Sequence, residues 1–164
     1  MAAGLCLSMT DDSHFYMWQF NTEQGNMRFR PHRWHGGAAC LEEKTLDGVS
    51  MTGEHSVRIE ITNNGTTATT YVDGNKIDER TGEFVYGRLG SRANGQEKAY
   101  FDDIVVTKNG VQEVNENFNN GENSLFDGGE VINGRWHHTS SPKELVWQFP
   151  LSEYGTYTIE SDFK

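Results

Sequence analysis

The run Met27-Arg28-Phe29-Arg30-Pro31-His32-Arg33-Trp34 gathers guanidinium, imidazole and indole groups into one short stretch of chain. Side chains of an extended strand alternate between its two faces. Met27, Phe29 and Pro31 then point one way, and Arg28, Arg30, His32 and Trp34 the other. An aromatic plate beside planar, multi-donor cations suits a ring whose C–H face stacks on indole. Hydroxyls or carboxylates at the rim of such a ring accept forked hydrogen bonds. That is the chemistry of holding a ligand rather than transforming it.

A hairpin must position these groups. Placing its loop over 21–26 pairs Phe20 with Met27, Trp18 with Phe29, Gln19 with Arg28, Met17 with Arg30 and Phe15 with His32. Tyr16 and Trp18 then enter the core, while Gln19, Arg30 and His32 share the exposed face; a slip of one residue would exchange the two sets. Trp18 reads as core filler or as a stacking plate, because a large indole serves either purpose. Pro31 within the strand marks an edge or a bulge. In 84–92, an inward Leu89 sends Arg88 and Arg92 outward, so a second strand adds cations to the same sheet. The candidate contacts are Trp18, Gln19, Arg30, His32, Trp34 and Arg92. Arg28 and Arg33 read as solvated charges, and Trp136 and Trp147 as structural.

The whole chain has 164 residues and a net charge of −10, which sets the basic face apart from its background. A duplex nucleic-acid binder needs a broad basic footprint, so the acidic balance argues against one. No stretch approaches the ~20 apolar residues of a membrane-spanning helix, and the N-terminus lacks a basic-then-apolar leader pattern. Cys6 and Cys40 match no metal-ligand spacing and read as free, buried thiols.

Turn signals fix the fold class. Asp47-Gly48, Asn64-Gly65, Asp73-Gly74, Asn94-Gly95, Asn109-Gly110, Asn120-Gly121 and Asn133-Gly134 favour the positive φ angles of tight hairpins. Between them lie period-2 segments. Val57, Ile59 and Ile61 face inward beside outward Arg58 and Glu60, with 66–72 as the partner strand and 100–107 as a further one. No helical stripe is present. Residues 1–164 read as one all-β domain, a sandwich of antiparallel sheets.

Phe15-Tyr16-Met17-Trp18-Gln19, Arg30-Pro31-His32, Val72-Asp73-Gly74 and Tyr100-Phe101-Asp102-Asp103-Ile104 form a series. It resembles the concanavalin A-like (laminin G-type) jelly-roll modules of bacterial glycoside hydrolases, most of all the non-catalytic modules of Bacteroides-type α-L-rhamnosidases. The resemblance spans most of the chain. It implies a jelly-roll β-sandwich of two antiparallel sheets, carbohydrate binding and often a structural calcium ion. It also implies a monomeric module joined to a catalytic domain in a secreted protein, extracellular or periplasmic. The ends depart from the family pattern. Tyr157 to Phe163 looks like the strand that there precedes the one at Ala3-Gly4-Leu5. A circularly permuted order, or a domain cut from tandem repeats, would produce this, with 156–163 antiparallel beside 3–9 and the termini close together.

Asp102 and Asp103, with Glu116 on the next strand, offer hard oxygen ligands for such a calcium, or simply solvated acids near loops. A catalytic reading needs two carboxylates about 5 Å apart. Glu160-Ser161-Asp162 alternates suitably but lacks a further carboxylate, and no histidine sits in a nucleophile context. The sequence therefore points to a non-catalytic module docking a polysaccharide, with the arginines hinting at uronic acids. The alternatives are a jelly-roll glycoside hydrolase and a laminin G-like protein-interaction module.

Overall fold

The computed structural model describes residues 2–11, 13–84, 88–92, 99–126, 128–138, 145–150 and 156–163, with Ala2, His138 and 145–150 as backbone only. Across them the chain forms fifteen strands and no helix. In chain order these are β1 (Ala2–Asp11), β2 (His14–Glu23), β3 (Asn26–His35), β4 (Ala38–Cys40), β5 (Lys44–Thr45), β6 (His55–Thr62), β7 (Thr67–Val72) and β8 (Asn75–Thr81). There follow β9 (Arg88–Arg92), β10 (Ala99–Lys108), β11 (Val111–Glu116), β12 (Glu130–Ile132), β13 (Arg135–His138), β14 (Leu145–Pro150) and β15 (Tyr157–Phe163).

A front sheet runs β14-β9-β1-β2-β3-β4, with β5 also on β3. A back sheet runs β12-β13-β10-β15-β6-β7-β8, with β11 on β10. The pairings are antiparallel. The chain changes sheet after β5, β8, β9, β13 and β14. This is the two-layer β-sandwich that the alternation and turn signals require.

Each strand turns its apolar positions toward the other sheet. Trp18, Phe20 and Phe29 of the front sheet meet Ile59, Phe101, Ile159 and Phe163 of the back sheet in one buried cluster. Phe20 stacks on Phe163 at 5.1 Å, and the Trp18 indole donates to the Thr70 hydroxyl at 2.7 Å, tying the layers together. Each such side chain contributes about 1.5–3 kcal/mol when withdrawn from water. Trp136 is likewise fully buried, and its indole donates to the Gly128 carbonyl at 3.0 Å. The Trp147 side chain and the Asn94-Gly95 turn lie outside the described residues.

The β2–β3 hairpin closes more tightly than expected. Glu23 pairs with Asn26 across Gln24-Gly25, and both turn residues have positive φ, 51° and 81°. That backbone matches the strand twist best, so β2 runs three residues and β3 one residue further into the turn than a loop over 21–26 allows, and the register moves by two. Gln19 therefore pairs with Arg30, Met17 with His32 and Phe15 with Trp34. An even shift preserves the faces, so the inward and outward sets are as expected.

Pro31 is buried in mid-strand, and its carbonyl accepts from Leu41 on the outer side of β3. On that side β5 covers residues 28 and 29 and β4 covers 32 to 34. The missing proline N–H falls in the gap between them, where no ladder bond is lost.

The C-terminal strand corrects the sequence reading. β15 does not lie beside β1; it fills the slot between β6 and β10 in the back sheet. Both edges of β1 are already taken by β2 and β9. The ends still meet across the layers, since Phe163 stacks on Phe20 and Phe20 pairs with Ala3.

Candidate ligand-binding face

Ladder partners align across the front sheet and put its outward groups in rows. Arg92, Gly4, Gln19 and Arg30 form one row. Gly90, Cys6, Met17, His32 and Cys40 form the next, and Phe15 and Trp34 begin a third. Five of the six expected contacts, Gln19, Arg30, His32, Trp34 and Arg92, thus share one sheet face. Trp18 is the exception: it is fully buried on the opposite face, held by Thr70, and is no stacking plate.

The floor of this face is apolar. Cys6, Met9, Phe15 and Met17 are buried together, with Trp34 packed against them. Trp34 lies nearly parallel to Phe15, at 5.1 Å and 10°, and the Arg92 guanidinium sits 4.3 Å from its ring centre. Gly4 keeps the notch between Arg92 and Gln19 open. A Cβ there would come within 2.9 Å of the Arg92 carbonyl and 3.2 Å of the Met17 sulfur.

Charges rim the floor. Arg30 donates to Glu43 at 2.7 Å and to Glu23 at 2.5 Å. Arg28 pairs with the same Glu43 and donates to the Gln24 amide oxygen at 3.1 Å. Only 16% of its side chain is exposed, so Arg28 is a packed ion-pair member and not the solvated charge expected. Arg33 is exposed as expected. With Arg88 opposite Met9, the face carries, among the described residues, four arginines against Glu23 and Glu43.

His32 Nδ1–H donates to the Arg30 carbonyl at 2.9 Å, which leaves Nε2 as an acceptor. Burial pushes its pKa below 6.5, and the positive charges of Arg30 and Arg92 add to that push against the opposing hydrogen bond. The ring is therefore neutral at pH 7. The half-buried Gln19 amide has no polar partner among the described residues. The face thus offers a neutral acceptor, a free amide, an indole and bound arginines.

The two cysteines stand at opposite ends of the row Cys6-Met17-His32-Cys40, three strand spacings or about 14 Å apart. A disulfide needs Cα atoms within about 7 Å, so the two cysteines do not bridge each other. Cys6 is buried as expected; Cys40 is exposed.

The expected calcium ligands do not converge. Asp102 accepts the Asp103 N–H at 2.8 Å. Glu116 spends one oxygen on the Phe118 N–H at 3.0 Å and the other on the Ser124 hydroxyl at 2.6 Å. Among the described residues no three His, Cys, Asp or Glu side chains form a metal-holding group, and Asp102, Asp103 and Glu116 do not fit one. Asp102 instead stands opposite Asp162. Burial raises both carboxyl pKa values above 3.8, and neighbouring acids, including Glu54 and Asp103, push the same way. Glu160 shares the outer face of the back sheet with Asp162 and lies 3.8 Å from Arg58.

Sequence reasoning did not find the apolar floor or the carboxylates that bind Arg28 and Arg30. The floor had a signal: Phe15-Tyr16-Met17-Trp18 is apolar on both strand faces, as in a strand covered on both sides. Glu43, on a separate short segment, had none.

The fold defines the class, an antiparallel two-sheet β-sandwich with a partly apolar, arginine-rimmed front face. No family model matches the chain, and no curated protein matches it.

Proposed function

We propose that this chain is a non-catalytic carbohydrate-binding module that docks a polysaccharide carrying uronic acids. The observation that carries this reading is the convergence of Gln19, Arg30, His32, Trp34 and Arg92 on one face of the front sheet. Trp34 supplies the plate, Gln19 and His32 Nε2 exchange hydrogen bonds with hydroxyls, and Arg92 attracts a carboxylate. The arginine excess at the rim of an acidic chain favours an anionic ligand. Contacts on an open sheet give modest affinity, which repeated engagement along a polymer multiplies. In this reading the module works as a monomer outside the cell and holds an appended glycoside hydrolase on its substrate.

Native gel electrophoresis through polygalacturonate and through a neutral glucan tests it. The protein is retarded by polygalacturonate, and 0.5 M NaCl weakens the retardation by screening the charge contacts. Equal mobility in both gels, with and without salt, overturns the reading.

A further inference from the structure

The outer face of the back sheet carries a second aromatic plate, remote from the front-sheet site. Tyr100 on β10 stands opposite His137 on β13. Their rings stack at 4.4 Å between centroids, with planes 8° apart. Tyr100 lines a cleft of about 320 Å³ together with Ile132, Asn133 and Arg135. That volume matches the lower end of small-molecule sites, about 300 Å³.

The cleft is held in shape from three sides. Asn133 leads the tight β12–β13 turn with a φ of 53°, so its backbone is fixed while its amide has no partner among the described residues. Arg135 is anchored by Glu54 and lies 3.7 Å from Asp102, which neutralises its charge. Ile132 is 37% exposed, an uncommon position for a large apolar side chain in this chain.

His137 gives the clearest sign. Both ring nitrogens are buried, and neither has a hydrogen-bond partner among the described residues. Buried polar atoms are nearly always satisfied. Here that satisfaction is given up for a parallel stack that fixes the plane of the Tyr100 ring.

We propose that this cleft is a second saccharide subsite, which takes a single uncharged pyranose unit. The C–H face of the sugar lies on Tyr100 and Ile132. The Asn133 amide and the Arg135 guanidinium bond its hydroxyls, and His137 is a positioning residue behind the plate. An uncharged sugar fits because Arg135, which lines the cleft, is already compensated. With sites on both sheets, the module bridges two polymer chains.

Amide chemical-shift mapping of the native protein with cellotetraose and with trigalacturonate tests this. Shifts at Tyr100, Asn133 and Arg135 with cellotetraose are expected. Tyr100→Ala abolishes them, and Asn133→Gly, which keeps the turn, weakens the binding about fivefold or more. His137→Phe retains the stack and the binding while removing the unmet nitrogens, so the melting temperature rises. Shifts confined to the front sheet overturn the second subsite and leave the proposed function standing. Shifts at the back-sheet cleft alone uphold the subsite and overturn the front-face reading. No shift with either sugar at millimolar concentration overturns both.

Discussion

The guanidinium of Arg92 lies 4.3 Å from the centre of the Trp34 indole, joining β9 to β3 across the two strands between them. This contact covers a plate that a sugar ring would use, so ligand and arginine must share it. A guanidinium that stacks on an indole directs its N–H groups along the ring plane, toward the ring edge. In the proposed function, Arg92 meets a carboxylate at the border of a stacked sugar.

Arg92→Ala therefore weakens trigalacturonate binding about tenfold or more, the order set by a charge-assisted hydrogen bond of about 1.5–3 kcal/mol. Arg92→Lys recovers little of it, because an ammonium lacks the planar fork. Isothermal titration calorimetry of the two variants checks both statements.

The two tryptophans of the hairpin have opposite roles. Trp18→Phe removes the 2.7 Å bond to Thr70 and leaves that hydroxyl buried and unsatisfied, at a cost of about 1–3 kcal/mol. Urea denaturation shows the loss, and sugar affinity is unchanged. Trp34→Ala has the reverse profile: affinity collapses while the midpoint of unfolding moves less.

Much of the fold is legible in the sequence because its strands are half-buried. Period-2 alternation in 57–62 and 100–107 assigns strand and face from local residues alone. The side-sharing of Gln19, Arg30 and His32 follows from the same rule and survives the wrong hairpin register, since the error is even. The register itself depended on Gln24-Gly25, a tight turn without the Asn or Asp that flags one. The seat of β15 was not legible, because its neighbours β6 and β10 are chosen by long-range packing of Tyr157, Ile159 and Phe163. The role of Trp18 was ambiguous for a related reason, since only the facing sheet supplies Thr70.

A buried ion cluster braces the rim beside the site. Asp78, whose side chain is 1% exposed, accepts from Lys44 at 2.5 Å and from Arg80 at 2.6 Å. Burial raises its pKa, but the hydrogen bonds and charges of Arg80 and Lys44 outweigh that and hold it below 3.8. Its stabilising effect is therefore full above pH 3.8 and is lost as the pH falls through the lowered value. Asp78→Asn costs about 3 kcal/mol at pH 7, because two partly buried cations lose their counter-charge. Chemical denaturation at pH 7 and pH 3 shows a deficit that shrinks in acid.

The opposite sign holds for Asp162. Burial and the neighbouring acids Glu54, Asp103 and Asp102 raise its pKa above 3.8, so the fold disfavours its charged form. The stability it contributes is full below pH 3.8 and lost as the pH rises through the raised value. Asp162→Asn consequently melts higher than the native protein at pH 7, and the gain fades toward pH 4. Thermal melts across that range check the direction.

The most direct measurement is trigalacturonate titration of the native protein and of a Gln19→Ala, His32→Ala double variant, with a thermal melt of each. Both substitutions lie on the outward side of the front sheet. The native protein binds measurably, the variant loses tenfold or more in affinity, and the two melts match. Equal affinities for the two proteins, or no binding by either, contradict the front-face reading.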